Sequence, residues 1–182
     1  MNFFATPLAG CYVVQPMLRQ DERGYFLKTF VHSSFAEKHL ETRFREQYIS
    51  KSRAGVIRGM HFQRPPHDHV KLVYCPSGRV LDAVVDLRSG SSTYGQAFWI
   101  ELSAENATML YIPSGFAHGF EALEEHSLMV YLVSSEYAPT HDDGIHWQSA
   151  GVPWTTQQPV VSARDAAFVA LTDFKTPFEV SE

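Results

Sequence analysis

A chain of 182 residues, with 45% hydrophobic and 19% charged side chains, has the composition of a globular protein and enough length to bury a core. A formal net charge of -5 argues against a nucleic-acid footprint, which is normally basic. No apolar run approaches the roughly 20 residues that cross a bilayer, and "MNFFATPLAGCYVVQPMLRQ" lacks a basic stretch ahead of its apolar one, so neither a membrane span nor a secretory leader is expected. Cys11 and Cys75 lie far apart without metal-type spacing, which suits buried, reduced thiols in a cytoplasmic protein.

In chain order, one helix is expected around "HSSFAEKHLE" (32–41), with Ser33 or Ser34 as cap and Phe35, His39 and Leu40 near one face. Short apolar runs rich in aromatic and β-branched residues then dominate. "RVLDAVVDL" (79–87), "YGQAFWIEL" (94–102), "TMLYIP" (108–113) and "SLMVYLV" (127–133) read as strands. The gaps "RSGSST", "SAEN" and "EALEEH" supply turn chemistry. No repeat, linker or low-complexity stretch divides the chain, so residues 1–182 are expected to form one all-β domain, a sandwich or barrel. In "VLDAVVDL", alternation sets Leu81, Ala83, Val85 and Leu87 on one face. Asp82 and Asp86 share the other with Val80 and Val84, and from this segment alone that face is expected to be exposed, because burying two carboxylates is costly.

"RGMHFQRPPHDHVKLV" (58–73) places His61, His67, His69 and Lys71 close together. Two histidines two apart on a strand point the same way, so His67 and His69 could share a metal. With His118 of "PSGFAHGF" they resemble the two metal motifs of the cupin superfamily of small β-barrels. The match is incomplete. Val73, Tyr74 and Cys75 stand where that pattern expects a carboxylate, Lys71 adds a positive charge, and Pro65 and Pro66 suggest a turn. The other reading is proton transfer on an organic substrate, with His61 as base and Lys71 as cation. Taken singly, a structural histidine and a solvated lysine are the plainer readings of these two residues.

Six segments in order, "DERGYF", "SKSRAGVIRGMHFQ", "KLVYCPSGRVLDAVVDLRSGSSTYG", "YIPSGFAHGF", "VYLVSSEYAP" and "SARDAA", resemble the dTDP-4-dehydrorhamnose 3,5-epimerase family of nucleotide-sugar epimerases. The resemblance implies a cupin-type jelly-roll barrel with short peripheral helices, no metal and no cofactor. It further implies that His61 is the general base, Asp165 its orienting partner, Tyr131 the acid on the opposite face and Lys71 the stabiliser of the enolate oxygen. Arg23, Phe26, Gln47, Arg58, Asp82, His118, Tyr137, Asp142 and Arg164 are implied substrate contacts. Arginines would suit a diphosphate, Tyr137 would stack on the nucleotide base, and Asp82 moves from an exposed face into the cavity.

The implied reaction inverts C3, C5 or both of a nucleoside-diphosphate-linked 4-keto-6-deoxyhexose, in deoxysugar or O-antigen-type polysaccharide biosynthesis. Both carbons adjoin the C4 ketone, so losing either proton gives an enolate, and inversion then needs a second donor on the other face. Lys28 and Tyr48 stand where relatives commonly carry Glu and Asn, and Asp142 replaces a frequent Glu. The carrier is therefore open among TDP, CDP and GDP. The family analogy also implies a homodimer with exchanged N-terminal strands. The rival readings are a metal-dependent cupin enzyme using His67, His69 and His118, and a barrel that binds a nucleotide sugar without reacting.

Overall fold

The computed structural model describes residues 1–180. In chain order the strands are β1 (Asn2–Ala5), β2 (Tyr12–Gln15), β3 (Leu18–Asp21), β4 (Gly24–Leu27), β5 (Glu46–Ser52), β6 (Ile57–Gln63), β7 (Lys71–Ser77) and β8 (Arg79–Asp86). There follow β9 (Ala97–Ser103), β10 (Met109–Ile112), β11 (Phe116–Ala122), β12 (Ser127–Val133) and β13 (Asp142–Gly144). Helix α1 (His32–Ala36) precedes β5, and α2 (Ala163–Ala166) lies near the C-terminus. One sheet has the order β1-β2-β10-β7-β12-β5 and the other β13-β6-β11-β8-β9, all antiparallel, with β3-β4 a separate hairpin. This is the all-β, cupin-type jelly roll.

The two sheets enclose a core built from Val73, Leu110, Met129 and Tyr131 on one side and Val80, Val84 and Phe120 on the other. The outer face of the first sheet is covered by α1, whose Phe35 is fully buried beside Tyr111 and edge-on to Phe3. Burial on this scale stabilises by about 1.5–3 kcal/mol. The helix is half as long as its pattern suggests. It begins after Val31 without a side-chain cap, neither Ser33 nor Ser34 serving, and His39 adopts φ 56° where the turn leaves the helix.

Both faces of β8 are packed, which overturns the exposed-face expectation for Asp82 and Asp86. Ala83, Val85 and Leu87 pack beneath Phe174 and Phe178 of the C-terminal segment. The carboxylates therefore face inward with Val80 and Val84, and both are fully buried. Each has company: Asp86 accepts from Arg88, Ser91 and Thr93, and Asp82 meets His118. Burial pushes the Asp86 carboxyl up, but these donors outweigh it and hold it below the usual carboxylate range. Gly59 is required where β6 approaches β11. Its φ is +143°, and a Cβ there would lie 2.6 Å from the Gly119 Cα. Cys11 and Cys75 are buried free thiols.

Candidate active site

The barrel holds a cavity of about 320 Å³ between the sheets. Strand register decides which side chains reach it. His61 on β6 pairs directly with His118 on β11, so the two share a face. In the other sheet, Tyr131 on β12 pairs with Tyr48 on β5, and Val133 with Lys71 on β7. His61, His118, Lys71, Tyr131 and Tyr48 all line the same cavity. His61 and Tyr131 thus enter it from different sheets.

His61 Nε2 lies 2.9 Å from Asp165 Oδ1. The second oxygen of Asp165 accepts the Gly59 N–H at 3.1 Å, and the Asp165 N–H donates to the Ser162 hydroxyl that caps α2. Burial alone would raise the Asp165 carboxyl. The hydrogen bonds from His61, Gly59 and Ser162, with the neighbouring imidazole charge, hold it below the usual carboxylate range. Where Nε2 of His61 bears the proton that Asp165 accepts, Nδ1 is the ring nitrogen left to act as a base.

Lys71 is 5% exposed and its ammonium donates to the His61 carbonyl oxygen at 3.1 Å. Burial pushes its pKa down to about 8, against the opposing pull of Asp142 and Asp82. Tyr131 is buried, with its hydroxyl 3.3 Å from Ser50 Oγ. Burial drives the phenol well above its ordinary range, with Ser50 opposing, so it holds its proton at neutral pH. Its ring stacks on Tyr48 at 4.6 Å and 16°, and His118 meets it edge-on at 6.0 Å. Such a stacked pair contributes about 0.5–1.5 kcal/mol beyond its burial.

Behind His118 stands Asp82, 2.8 Å away. Burial pushes the Asp82 carboxyl up and the His118 imidazole down, while their hydrogen bond opposes both shifts. The second Asp82 oxygen is buried without a hydrogen-bond partner among the described residues. At the mouth, Arg58 lines the cavity and donates to Ser52 Oγ. Asp142 also lines it, pairing at 2.8 Å with Arg164, whose guanidinium lies over Phe168. Tyr137 lines the rim, 60% exposed, and its N–H donates to Glu46.

Five expected contacts do not line this cavity: Asp82 stands behind His118, Arg164 meets it through Asp142, and Gln47, Arg23 and Phe26 lie elsewhere. Gln47 points to the opposite side of β5 from the cavity-lining Glu46, Tyr48 and Ser50, as strand alternation requires. Arg23 and Phe26 sit exposed on the β3-β4 hairpin, away from the cavity of their own chain, with Arg23 paired to Asp21. Gln63 and the inward trio of β5 were not foreseen as contacts. Period-two reading of "EQYISKS" would have found the trio, whereas nothing local marks Gln63.

The three histidines of the metal reading are engaged separately. Among the described residues no three His, Cys, Asp or Glu side chains are placed to hold an ion. His67 lies against His141 with ring centroids 4.4 Å apart and tilted by 49°, and His118 is hydrogen-bonded to Asp82. His69 Nδ1 lies 3.1 Å from Gln63 Nε2, which also donates to two carbonyls. Burial, with Lys71 and His118 nearby, lowers His69 to about 3, so it stays neutral.

Residues 5–173 match the family model described as dTDP-4-dehydrorhamnose 3,5-epimerase. The dTDP-4-dehydrorhamnose 3,5-epimerase of Methanothermobacter thermautotrophicus is 42% identical over 155 residues, covering 84% of this chain and 83% of that protein. The crystal structure of the Legionella pneumophila dTDP-6-deoxy-D-glucose-3,5-epimerase, in complex with dTDP-4-keto-L-rhamnose, is 33% identical with a TM-score of 0.91, covering 96% of this chain and 94% of that one. ChmJ, a 3'-monoepimerase from Streptomyces bikiniensis solved with dTDP-quinovose, is 29% identical with a TM-score of 0.87, covering 92% of this chain and 86% of that one. Sequence, barrel and match length agree: the chain belongs to the dTDP-4-dehydrorhamnose 3,5-epimerase family.

Proposed function

We propose that this enzyme inverts C3, C5 or both of a nucleoside-diphosphate-linked 4-keto-6-deoxyhexose by proton transfer next to the C4 ketone. The observation that carries this reading is the entry of His61 and Tyr131 into one cavity from different sheets. A sugar ring lying between them offers one face to each. His61 Nδ1 takes the proton from carbon, and Asp165 steadies the imidazolium that forms. Charge collects on the C4 oxygen, where the Lys71 ammonium stabilises it. Tyr131 then delivers its proton to the carbon from the other face, which inverts the centre. Exchange with solvent returns His61 to its neutral form and Tyr131 to its phenol.

Arg58 and Arg164 are suited to the diphosphate, since a guanidinium fork can bind phosphate oxygens bidentately. Arg164 must loosen its pair with Asp142 to do so. His118 and Asp82 brace the sugar end, and Tyr137 offers a ring to the base. The relatives described above bind dTDP sugars, which supports thymidine as carrier, whereas Lys28 and Tyr48 depart from the family pattern and keep CDP and GDP in the test. A homodimer with exchanged N-terminal strands would bring Arg23 and Phe26 of one protomer to the cavity of its partner. The apolar exposure of Met17, Leu18, Tyr25 and Phe26 on that arm supports such an exchange. The setting that suits this reading is deoxysugar supply, in the cytoplasm, for a surface polysaccharide or a glycosylated product.

The deciding experiment incubates enzyme with TDP-, CDP- and GDP-linked 4-keto-6-deoxyglucose in deuterated water, with and without chelator. Deuterium at C3, C5 or both, accompanied by inversion and indifferent to chelator, is the expected outcome. Binding of all three sugars without label at either carbon would reduce the protein to a binding barrel.

A further inference from the structure

We propose that Tyr48 is a positioning residue for the proton donor: its ring holds the Tyr131 ring at the angle from which the Tyr131 hydroxyl reaches the sugar. The proposal rests on the epimerase reading above and adds to it a residue that contributes through Tyr131. Tyr48 and Tyr131 are directly opposed in the β5-β12 ladder, so their side chains leave the sheet on the same side. Their rings are nearly parallel, 16° apart with centroids at 4.6 Å. The His118 ring stands edge-on to Tyr131 at 6.0 Å, and Ser50, two residues from Tyr48 on the same strand face, meets the Tyr131 hydroxyl at 3.3 Å. The donor ring is therefore confined by a face contact, an edge contact and a hydrogen bond, and β5 supplies two of the three.

An acid that must protonate one chosen face of an enolate has to be aimed before the proton is needed. A phenol with one ring face open to a cavity turns freely about its side-chain bonds, and its hydroxyl then spends less time in line with the carbon. In that case His61 has time to return the proton to the face it came from. Solvent label enters the sugar, but the centre keeps its configuration. The ratio of exchange to inversion reports how well Tyr131 is aimed, and a general loss of folding or binding leaves that ratio unchanged.

The test compares Tyr48→Phe, which keeps the ring, with Tyr48→Ala and Tyr48→Leu, which remove it. Wash-in of deuterium and inversion are followed together on whichever carrier the wild type turns over. Tyr48→Phe, which keeps the stacked ring, is expected to keep the wild-type ratio of exchange to inversion. Tyr48→Ala and Tyr48→Leu are expected to lose about tenfold in inversion, the upper end of a stacked pair's worth, while exchange falls less. Ring-labelled tyrosine NMR, with the Tyr131 signals assigned through Tyr131→Phe, is expected to show faster Tyr131 ring flips in the two ring-deleted variants. This second measurement needs no substrate. A ratio in Tyr48→Phe shifted as far as in the ring-deleted variants would assign the effect to the Tyr48 hydroxyl rather than its ring and overturn the proposal. So would an unchanged ratio in the ring-deleted variants, or an unchanged flip rate. Should the wild type exchange nothing on any carrier, the epimerase reading fails, and the flip rates still decide whether Tyr48 holds Tyr131.

Discussion

The Lys71 ammonium donates to the carbonyl oxygen of His61 at 3.1 Å, so the cation of the site is tied to the backbone of the residue assigned as its base. Burial lowers the Lys71 pKa to about 8, which puts its titration within reach of an ordinary pH profile. The ammonium is the useful form and it exists below that value. Activity should therefore fall as pH rises through about 8. Lys71→Arg stays charged throughout, so the residual activity of that variant should lack this alkaline limb. Profiles of kcat/KM between about pH 6 and 10 test it, and an identical limb in both proteins would assign it to another group.

His61 and Tyr131 should fail in different ways. His61→Ala removes the base and should abolish both isotope exchange and inversion, a loss of about 10²–10⁴-fold or more. Tyr131→Phe keeps the ring in its stack with Tyr48 and removes only the proton, so label should still enter while inversion collapses. Parallel, minor losses in the two variants would show that the roles are misassigned.

Asp165 carries a pH signature of its own. Its folded-state pKa lies below the ordinary carboxylate value, so its ionised form is favoured by folding. That stability is fully present above about pH 4, the unfolded value, and is lost as pH falls through the folded one. Asp165→Asn should lower kcat by about 10²–10⁴-fold and remove this share of the acid dependence of stability. Urea melts from pH 3 to 7 give the second readout. Acid limbs that superimpose in wild type and variant would argue against the ionised dyad.

His118 is the stability-critical member of the cavity. It provides the sole hydrogen bond to the fully buried Asp82 side chain among the described residues. His118→Ala would leave that buried carboxyl without its hydrogen bond, at a cost of about 1–3 kcal/mol. His118→Ala combined with Asp82→Ala should recover part of the loss, because no buried polar group of the pair is then left unpartnered. A denaturation midpoint in the single variant equal to wild type would contradict the pairing.

What could be read before folding follows from the range of the interactions involved. β12 occupies Ser127–Val133, the predicted segment, because "SLMVYLV" is apolar, β-branched and bounded by turn residues. Helix α1 is shorter than its pattern because local periodicity says nothing of where Phe35 must seat on the outer sheet face. Alternation alone misplaces Asp82 because it distinguishes two sides of a strand without telling which is solvated, and only the family likeness turns this residue inward. The C-terminal segment, some 90 residues further on, covers the other side. Asp165 meets His61 across 104 residues, a pairing that no spacing rule reaches and that only family likeness pointed to. Gln47 shows the limit of that likeness: a motif locates a strand, but a one-residue offset exchanges its two faces.

Among the described residues, strand β5 ends its sheet and is hydrogen-bonded to β12 alone, whereas β6, β7 and β12 have neighbours on both sides. The wall that bears Glu46, Tyr48 and Ser50 is thus anchored along a single seam, and the residues assigned to the proton relay sit in fully flanked strands, apart from Asp165 on its short helix. Substitutions on that wall disturb one ladder rather than two. A change on that wall reaches the fully flanked strands through one seam, by way of the contacts that Tyr48 and Ser50 make with Tyr131.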